Sequence, residues 1–276
     1  MSNDRFGLMA CACAYLCTFA APALAHHGRD FLLTQTAHLP QTGEVYFIAR
    51  QDYLDEDEKE IEFEPAIIGA VADRLTLEAH SHIERPEGQA AIYESTGIAA
   101  HVRFTRRDSP FALGSSVEYE AVRHSDADDT WEFAAIASYE ARPWMASVNF
   151  VARVETGGAT TAWDYAGGVR RSIADHISVG LEAAGTFETG NRCEAMLGLF
   201  MDPIPSFTVN IGVGTGINNG PDFTFRSAFV FHLAARGQRS GHGGANAAMR
   251  RSGFLRNPAR VARPEDHAHM IRDVSQ

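Results

Sequence analysis

Between Glu44 and Ala234 the chain divides into short stretches of alternating polar and apolar residues. After residue 25 nothing approaches the roughly 20 consecutive apolar residues that a membrane-spanning helix needs. Side chains along a strand point to opposite faces in turn, so the alternation marks strands with one polar and one apolar face. Twelve such stretches are predicted, at 44–54, 60–71, 75–85, 90–105, 111–124, 130–142, 145–155, 161–173, 177–188, 192–202, 206–217 and 222–234. In the third, Leu75, Leu77, Ala79 and Ile83 share one face and Thr76, Glu78, His80, His82 and Glu84 the other. In the last, Phe223, Phe225, Phe229, Phe231 and Leu233 oppose Thr224, Arg226 and His232. The apolar face must meet either a second sheet, as in a water-soluble sandwich, or lipid, as in a membrane barrel, and periodicity alone leaves both open.

Three features favour lipid. Aromatic residues gather near strand ends, at Tyr53, Phe111, Trp131, Tyr139, Trp144, Trp163, Phe187 and Phe207, where interfacial girdles belong. Tight turns at 72–74, 143–144, 174–176 and 203–205 alternate with acidic or glycine-rich connections at 55–59, 86–88, 125–129, 157–158, 189–191 and 218–221, the asymmetry expected between the two mouths of a barrel. An even strand count returns both termini to one side. The expected fold is all-β: an antiparallel up-and-down transmembrane β-barrel of about twelve strands, its termini in the periplasm.

The flanking segments fit export. Residues 1–25 join a short polar start to an apolar run ending in Ala23-Leu24-Ala25, a cleavable signal peptide with an A-x-A site. Cys11, Cys13 and Cys17 would leave with it, so Cys193 alone remains and no intrachain disulfide is expected. Residues 26–43 read as a polar lead-in, with Phe31-Leu32-Leu33 packing at the periplasmic mouth. Residues 235–276 carry eight arginines against Glu265, Asp266 and Asp273, a net +5, and have too few large apolar residues to fold alone. With the neutral leader set aside, the overall -11 leaves -16 for residues 26–234, a sign that argues against nucleic acid. The basic tail suits a periplasmic extension able to enter an acidic mouth.

Candidate chemistry centres on the polar faces of the early strands. Glu60, Glu62, Glu64, Glu78, His80, His82 and Glu84 should line one sector of the interior, extended by Glu118 and Glu120. No organic cofactor is implied. Glu78, His80 and His82 offer imidazole and carboxylate donors on one face, a set suited to a divalent metal ion. The competing reading is a wet interior in which these acids pair with Arg50, Arg74, Arg103, Arg123, Arg153 and Arg170. A mature start at His26-His27 could bind copper through the terminal amine and imidazoles. Gly212-Val-Gly214-Thr-Gly216 lies inside an alternating strand with no helix after it, so it relieves crowding rather than cradling phosphate, and Gly167-Gly168 either does the same or marks a bulge. A barrel hydrolase would need an outward-facing Ser–His pair, whereas His80, His82 and His101 are expected to face inward, and no catalytic motif appears.

On the stretches Val169–Leu181, Ile68–Glu78 and His26–Leu33 the chain resembles the Gram-negative outer-membrane barrels related to the phenol-degradation MetA-pathway channel family, across residues 26–234. The resemblance implies a barrel in outer-membrane lipid, inserted by the barrel-assembly machinery, and a channel or transporter with no catalytic residue. An acidic lumen then favours small polar or cationic solutes. The alternatives are a non-transporting structural or metal-binding barrel and, further off, an outer-membrane hydrolase.

Overall fold

The computed structural model describes residues 30–55, 59–123, 128–157, 161–187 and 192–234. The signal peptide, His26-His27 and the basic tail lie outside the described residues. Twelve strands follow in order: β1 (Glu44–Asp55), β2 (Lys59–Ala72), β3 (Leu75–Pro86), β4 (Ile92–Arg103), β5 (Phe111–Val122), β6 (Thr130–Ala141), β7 (Trp144–Glu155), β8 (Thr161–Ala174), β9 (Ile177–Thr186), β10 (Cys193–Ile204), β11 (Phe207–Asn218) and β12 (Phe223–Ala234). Each pairs antiparallel with its neighbours and β1 closes on β12, Glu44 opposite Ala234 and Asp55 opposite Phe223, so no sheet edge is left open. Every predicted strand is present, with ends displaced by at most two residues. β4 stops at Arg103 rather than at residue 105 because the Arg103 guanidinium gathers the carbonyls of Arg106, Arg107 and Ser109 and turns the chain there.

The strands alternate as the sequence does. On β3, Thr76, Glu78 and His80 are buried while Leu77 is 48% exposed. On β9, Glu182 is buried and Leu181 is 60% exposed, and on β12 Thr224 and Arg226 are buried while Phe229 and Phe231 face out. Among the described residues no second sheet covers this outer wall, which excludes the sandwich and leaves a surface that matches hydrocarbon. Aromatic clusters ring both ends. Phe111 packs on Tyr139 and Phe207 on Phe231 at the end holding Glu44 and Ala234, here the near end. At the far end Tyr119 packs on Trp131 and Tyr165 on Phe187. Register shifts interrupt pairing at Ala70/Ala72, His82/Ile83, Ser172/Ala174, Cys193/Glu194 and Met201/Ile204, bulges that bend strands into a closed wall.

One feature departs from the sequence reading. The lead-in was expected at the mouth, but residues 30–39 run inside the barrel as a strap: Phe31, Leu32 and Leu33 are 0–1% exposed, and Thr34, Gln35, Thr36 and Ala37 are also buried. The physical reason is room. The inner wall opposite is built from small residues, Gly168, Ala166, Ala184, Gly212 and Ala228, which leave a groove that three large apolar side chains fill.

Candidate functional site

The functional region is the lumen, which divides into two layers and one distinct sector. In the near half lies the strap. Thr36 Oγ1 donates to Asp30 Oδ2 at 2.6 Å and closes the segment into a compact loop. Its backbone is held by side chains of the wall: the amides of Leu32 and Leu33 donate to the two oxygens of Glu182 at 2.8 and 2.6 Å, and Gln35 N donates to Asn149 Oδ1 at 3.1 Å. Ala37 N donates to Ser138 Oγ at 2.9 Å, and Ser147 Oγ donates to the Gln35 carbonyl at 2.6 Å. Arg170 donates to the Asp30 carbonyl at 2.6 Å and lays its guanidinium over the rings of Phe31 and Phe200. Two glycines set the fit. A Cβ at Gly168 would sit 2.9 Å from the Phe31 ring, and one at Gly212 would sit 2.6 Å from Leu32 Cδ1. At Gly168 the nearest crowding atoms are the strap's, and at Gly212 the strap's Leu32 shares the space with Met196 of β10, whose Sδ would lie closer still to the added Cβ.

In the far half the lumen is filled with paired charge. Arg226 on β12 donates to Glu194 Oε2 on β10 at 2.8 Å and also to Asp52 on β1. Arg50 donates to both oxygens of Asp52, at 3.1 and 2.5 Å. Across the barrel Arg153 donates to Asp164 at 2.8 Å and lies 3.7 Å from Glu132. Asp52 is 2% and Asp164 1% exposed, so each carboxylate depends on its guanidinium.

The acidic and histidine-bearing sector spans β1 to β5. Glu78 accepts from His101 Nε2 at 3.0 Å and lies 3.6 Å from His80 Nδ1. His80 Nε2 is 3.2 Å from Glu118 on β5, and His82 Nε2 is 3.9 Å from Glu64 on β2. The rings of His80 and His82 meet edge to face at 5.4 Å. Of the residues singled out in the sequence, Glu64, Glu78, His80, His82 and Glu118 come together here. Glu60, Glu62 and Glu84 form a less buried group toward the far end, and Glu120 accepts from Ser95 Oγ. Arg103 and Arg170 also point inward but stand apart, one bracing the turn after β4 and the other the strap.

Several residues central to this arrangement were not singled out from the sequence: Asp52, Glu182, Glu194 and Asn149. Each occupies an inner position of its strand and was visible as polar, but its partner lies 174, 150, 32 and 114 residues away in the chain. Of the contacts these residues make, only Arg50 to Asp52, two residues apart on one face of β1, is announced by local spacing.

No family model matches the chain, and no curated protein matches it. Among solved structures it is similar in fold to the COG4313 outer membrane channel from Pseudomonas putida F1, with a TM-score of 0.55 and 12% identity over 71% of this chain and 98% of that one. The NanC porin superposes with a TM-score of 0.54 and 9% identity, covering 68% of this chain and 100% of the porin. The KdgM porin gives 0.52 and 9%, covering 68% and 99%. At such identities the likeness is one of fold, that of an outer-membrane β-barrel.

Proposed function

We propose that the protein is an outer-membrane transport barrel for small polar or cationic solutes, closed in this conformation by its own strap. The observation that carries the reading is how the strap is held. Its backbone bonds to Glu182, Asn149, Ser147 and Ser138 are all to side chains, so the strap can leave without unzipping any strand pair. Its departure would uncover an inner wall in which hydroxyl, amide and carboxylate groups flank the apolar patch of Met145, Met196 and Phe200. The inner faces of β2, β3 and β5 carry seven glutamates and no arginine, a sign that favours cations over anions.

The same reading assigns the chain to the bacterial outer membrane with both termini periplasmic, its wall in contact with lipid after insertion by the assembly machinery. The apolar outer face supports it. Kinship with the phenol-degradation MetA-pathway channels belongs to this proposal too, supported by fold alone. No catalytic role is assigned, since His80, His82 and His101 face the lumen among carboxylates.

Planar-bilayer recording of the refolded protein tests the reading. The intact chain should conduct rarely, and a variant lacking residues 30–39 should show large, cation-selective steps. A folded deletion variant that stays silent would overturn it.

A further inference from the structure

We infer that Glu64, Glu78 and His80 form a binding site for a divalent first-row metal ion of the zinc class, which ties β2 to β3 on the inner wall. Donor atoms of the three side chains lie within 4.8 Å of one another, and all three residues are buried. His80 Nδ1 and Glu78 Oε1 are 3.6 Å apart, close to the separation of about 3.3 Å between neighbouring donors that each sit ~2.0 Å from a tetrahedral zinc.

What separates this cluster from an ordinary group of lumen acids is the state of the imidazole. His80 is 4% exposed, and its Nδ1 has no hydrogen-bond partner, a costly condition for a buried nitrogen. Its other nitrogen, Nε2, faces Glu118 Oε1 at 3.2 Å. With Nε2 against that carboxylate, Nδ1 is the nitrogen turned toward Glu78 and would be the coordinating one when a metal is bound. This is the arrangement in which a metal-bound histidine is oriented by a carboxylate behind it.

The other two donors are backed in the same manner. His101 Nε2 engages Glu78 Oε2 at 3.0 Å and leaves Oε1 toward His80. Glu64 Oε2 has Arg50 at 3.5 Å and His82 at 3.9 Å. Arg50 is shared, its NH1 reaching Glu64 at the long distance of 3.5 Å while its Nε and NH2 both engage Asp52 more closely. Three buried carboxylates, Glu64, Glu78 and Glu118, thus gather around one imidazole, an excess of negative charge that a divalent cation would offset in large part. The wall is also shaped for this ring: His80 pairs with Gly97 on β4, and a Cβ there would overlap the imidazole. Two carboxylates and one imidazole nitrogen leave a fourth position for water, as in three-ligand zinc sites.

The test is metal content and affinity of the full mature chain, folded in detergent and judged folded by heat-modifiable gel mobility. Zn2+ serves as the probe and Co2+ as its spectroscopic substitute. One zinc per chain and a tetrahedral Co2+ ligand-field spectrum are expected, both unchanged in His26→Ala/His27→Ala. His80→Ala should lose the spectrum and bind at least about 100-fold more weakly, and Glu118→Gln, which leaves all three donors in place, should weaken zinc by about 10–100-fold. Should His80→Ala fail to fold, Glu118→Gln and Gly97→Ala decide the matter, the latter expected to distort the Co2+ spectrum. Absence of stoichiometric zinc in the folded wild type, or equal affinity in these variants, would overturn the assignment. Neither outcome depends on whether the barrel conducts.

Discussion

Replacing Glu182 by glutamine should open the barrel more often while leaving its wall intact. Glu182 is 3% exposed and accepts two strap amides, Leu32 N at 2.8 Å and Leu33 N at 2.6 Å. Hydrogen bonds to a charged group contribute about 1.5–3 kcal/mol each. Glutamine keeps one acceptor oxygen, now uncharged, and turns an NH2 donor against the other amide, so one bond is lost and one weakened. Against this, the neutral amide no longer has to be desolvated as a charge, which offsets part of the loss. The balance is about 2 kcal/mol against the strap-in state, or on the order of 30-fold in the ratio of open to closed. Single-channel open probability reads this ratio directly, with deletion of residues 30–39 setting its ceiling. If Glu182→Gln matched the wild type while the deletion variant stood open, Glu182 would not be the latch.

Gly212→Val should act from the other side of the strap: its side chain would compete with Leu32 for one volume, an overpacking cost of about 1–3 kcal/mol, and should raise leak current with no change in heat-modifiable mobility. Arg226→Met should lower the urea midpoint for unfolding in detergent by an amount equivalent to about 3–5 kcal/mol, because Asp52 and Glu194 lose the guanidinium between them. Adding Asp52→Asn should recover part of that loss, and no recovery would argue that the two are not energetically coupled. In the far-end loop before β6, the hydroxyl of Tyr119 donates to Asp129 and holds its carboxyl below the usual aspartate range, helped by the Val122 amide. A depressed carboxyl stabilises above its unfolded value of about 3.9 and loses that effect as pH falls through the lower folded value. Exchange protection of the Val122 amide should therefore persist below pH ~3.9, and its loss above that pH would contradict the contact.

The wall of this protein was legible in the sequence because its determinants are local. Whether Leu77 faces out and Glu78 in follows from strand geometry alone, and a slip of one residue would put every charge in lipid. The clustering of Glu64, Glu78 and His80 was legible in part, since Glu78 and His80 share a strand face, and neighbouring strands joined by the short turn at Asp73 and Arg74 bring Glu64 beside them. The strap was not legible. Phe31-Leu32-Leu33 announces a buried apolar patch, but nothing near it in sequence says that the burying surface is Gly168, Met196 and Gly212. Those glycines were visible as gaps in a crowded strand, and the object that fills them lies more than a hundred residues earlier.

The two layers of the lumen differ in what their removal would cost, and that difference argues for a gate in one place only. Withdrawing the strap leaves no charge without a partner, because Glu182, Asn149, Ser147 and Ser138 exchange its amides and carbonyl for water, and its main cost is re-exposing Phe31, Leu32 and Leu33, about 1.5–3 kcal/mol each. Breaking the far layer would strip Asp52, Asp164 and Glu194 of their arginines in a confined space, with no such compensation, so that layer should remain in place. A solute following the departed strap must then pass beside the fixed charge pairs. The acidic sector without inward arginines runs along β2, β3 and β5, past Glu78 and Glu118, which engage His101 and His80, to Glu62, Glu60 and Glu84. Selectivity should therefore be set by these glutamates and not by the Arg50–Asp52–Arg226 cluster, so neutralising Glu60, Glu62 and Glu84 together in the strap-deleted barrel should shift the reversal potential in asymmetric KCl toward zero. A shift of the same size from Asp52→Asn instead would place the conducting path beside the Arg50–Asp52–Arg226 cluster on the adjoining strand, where Asp52 pairs with Glu62 across β1 and β2.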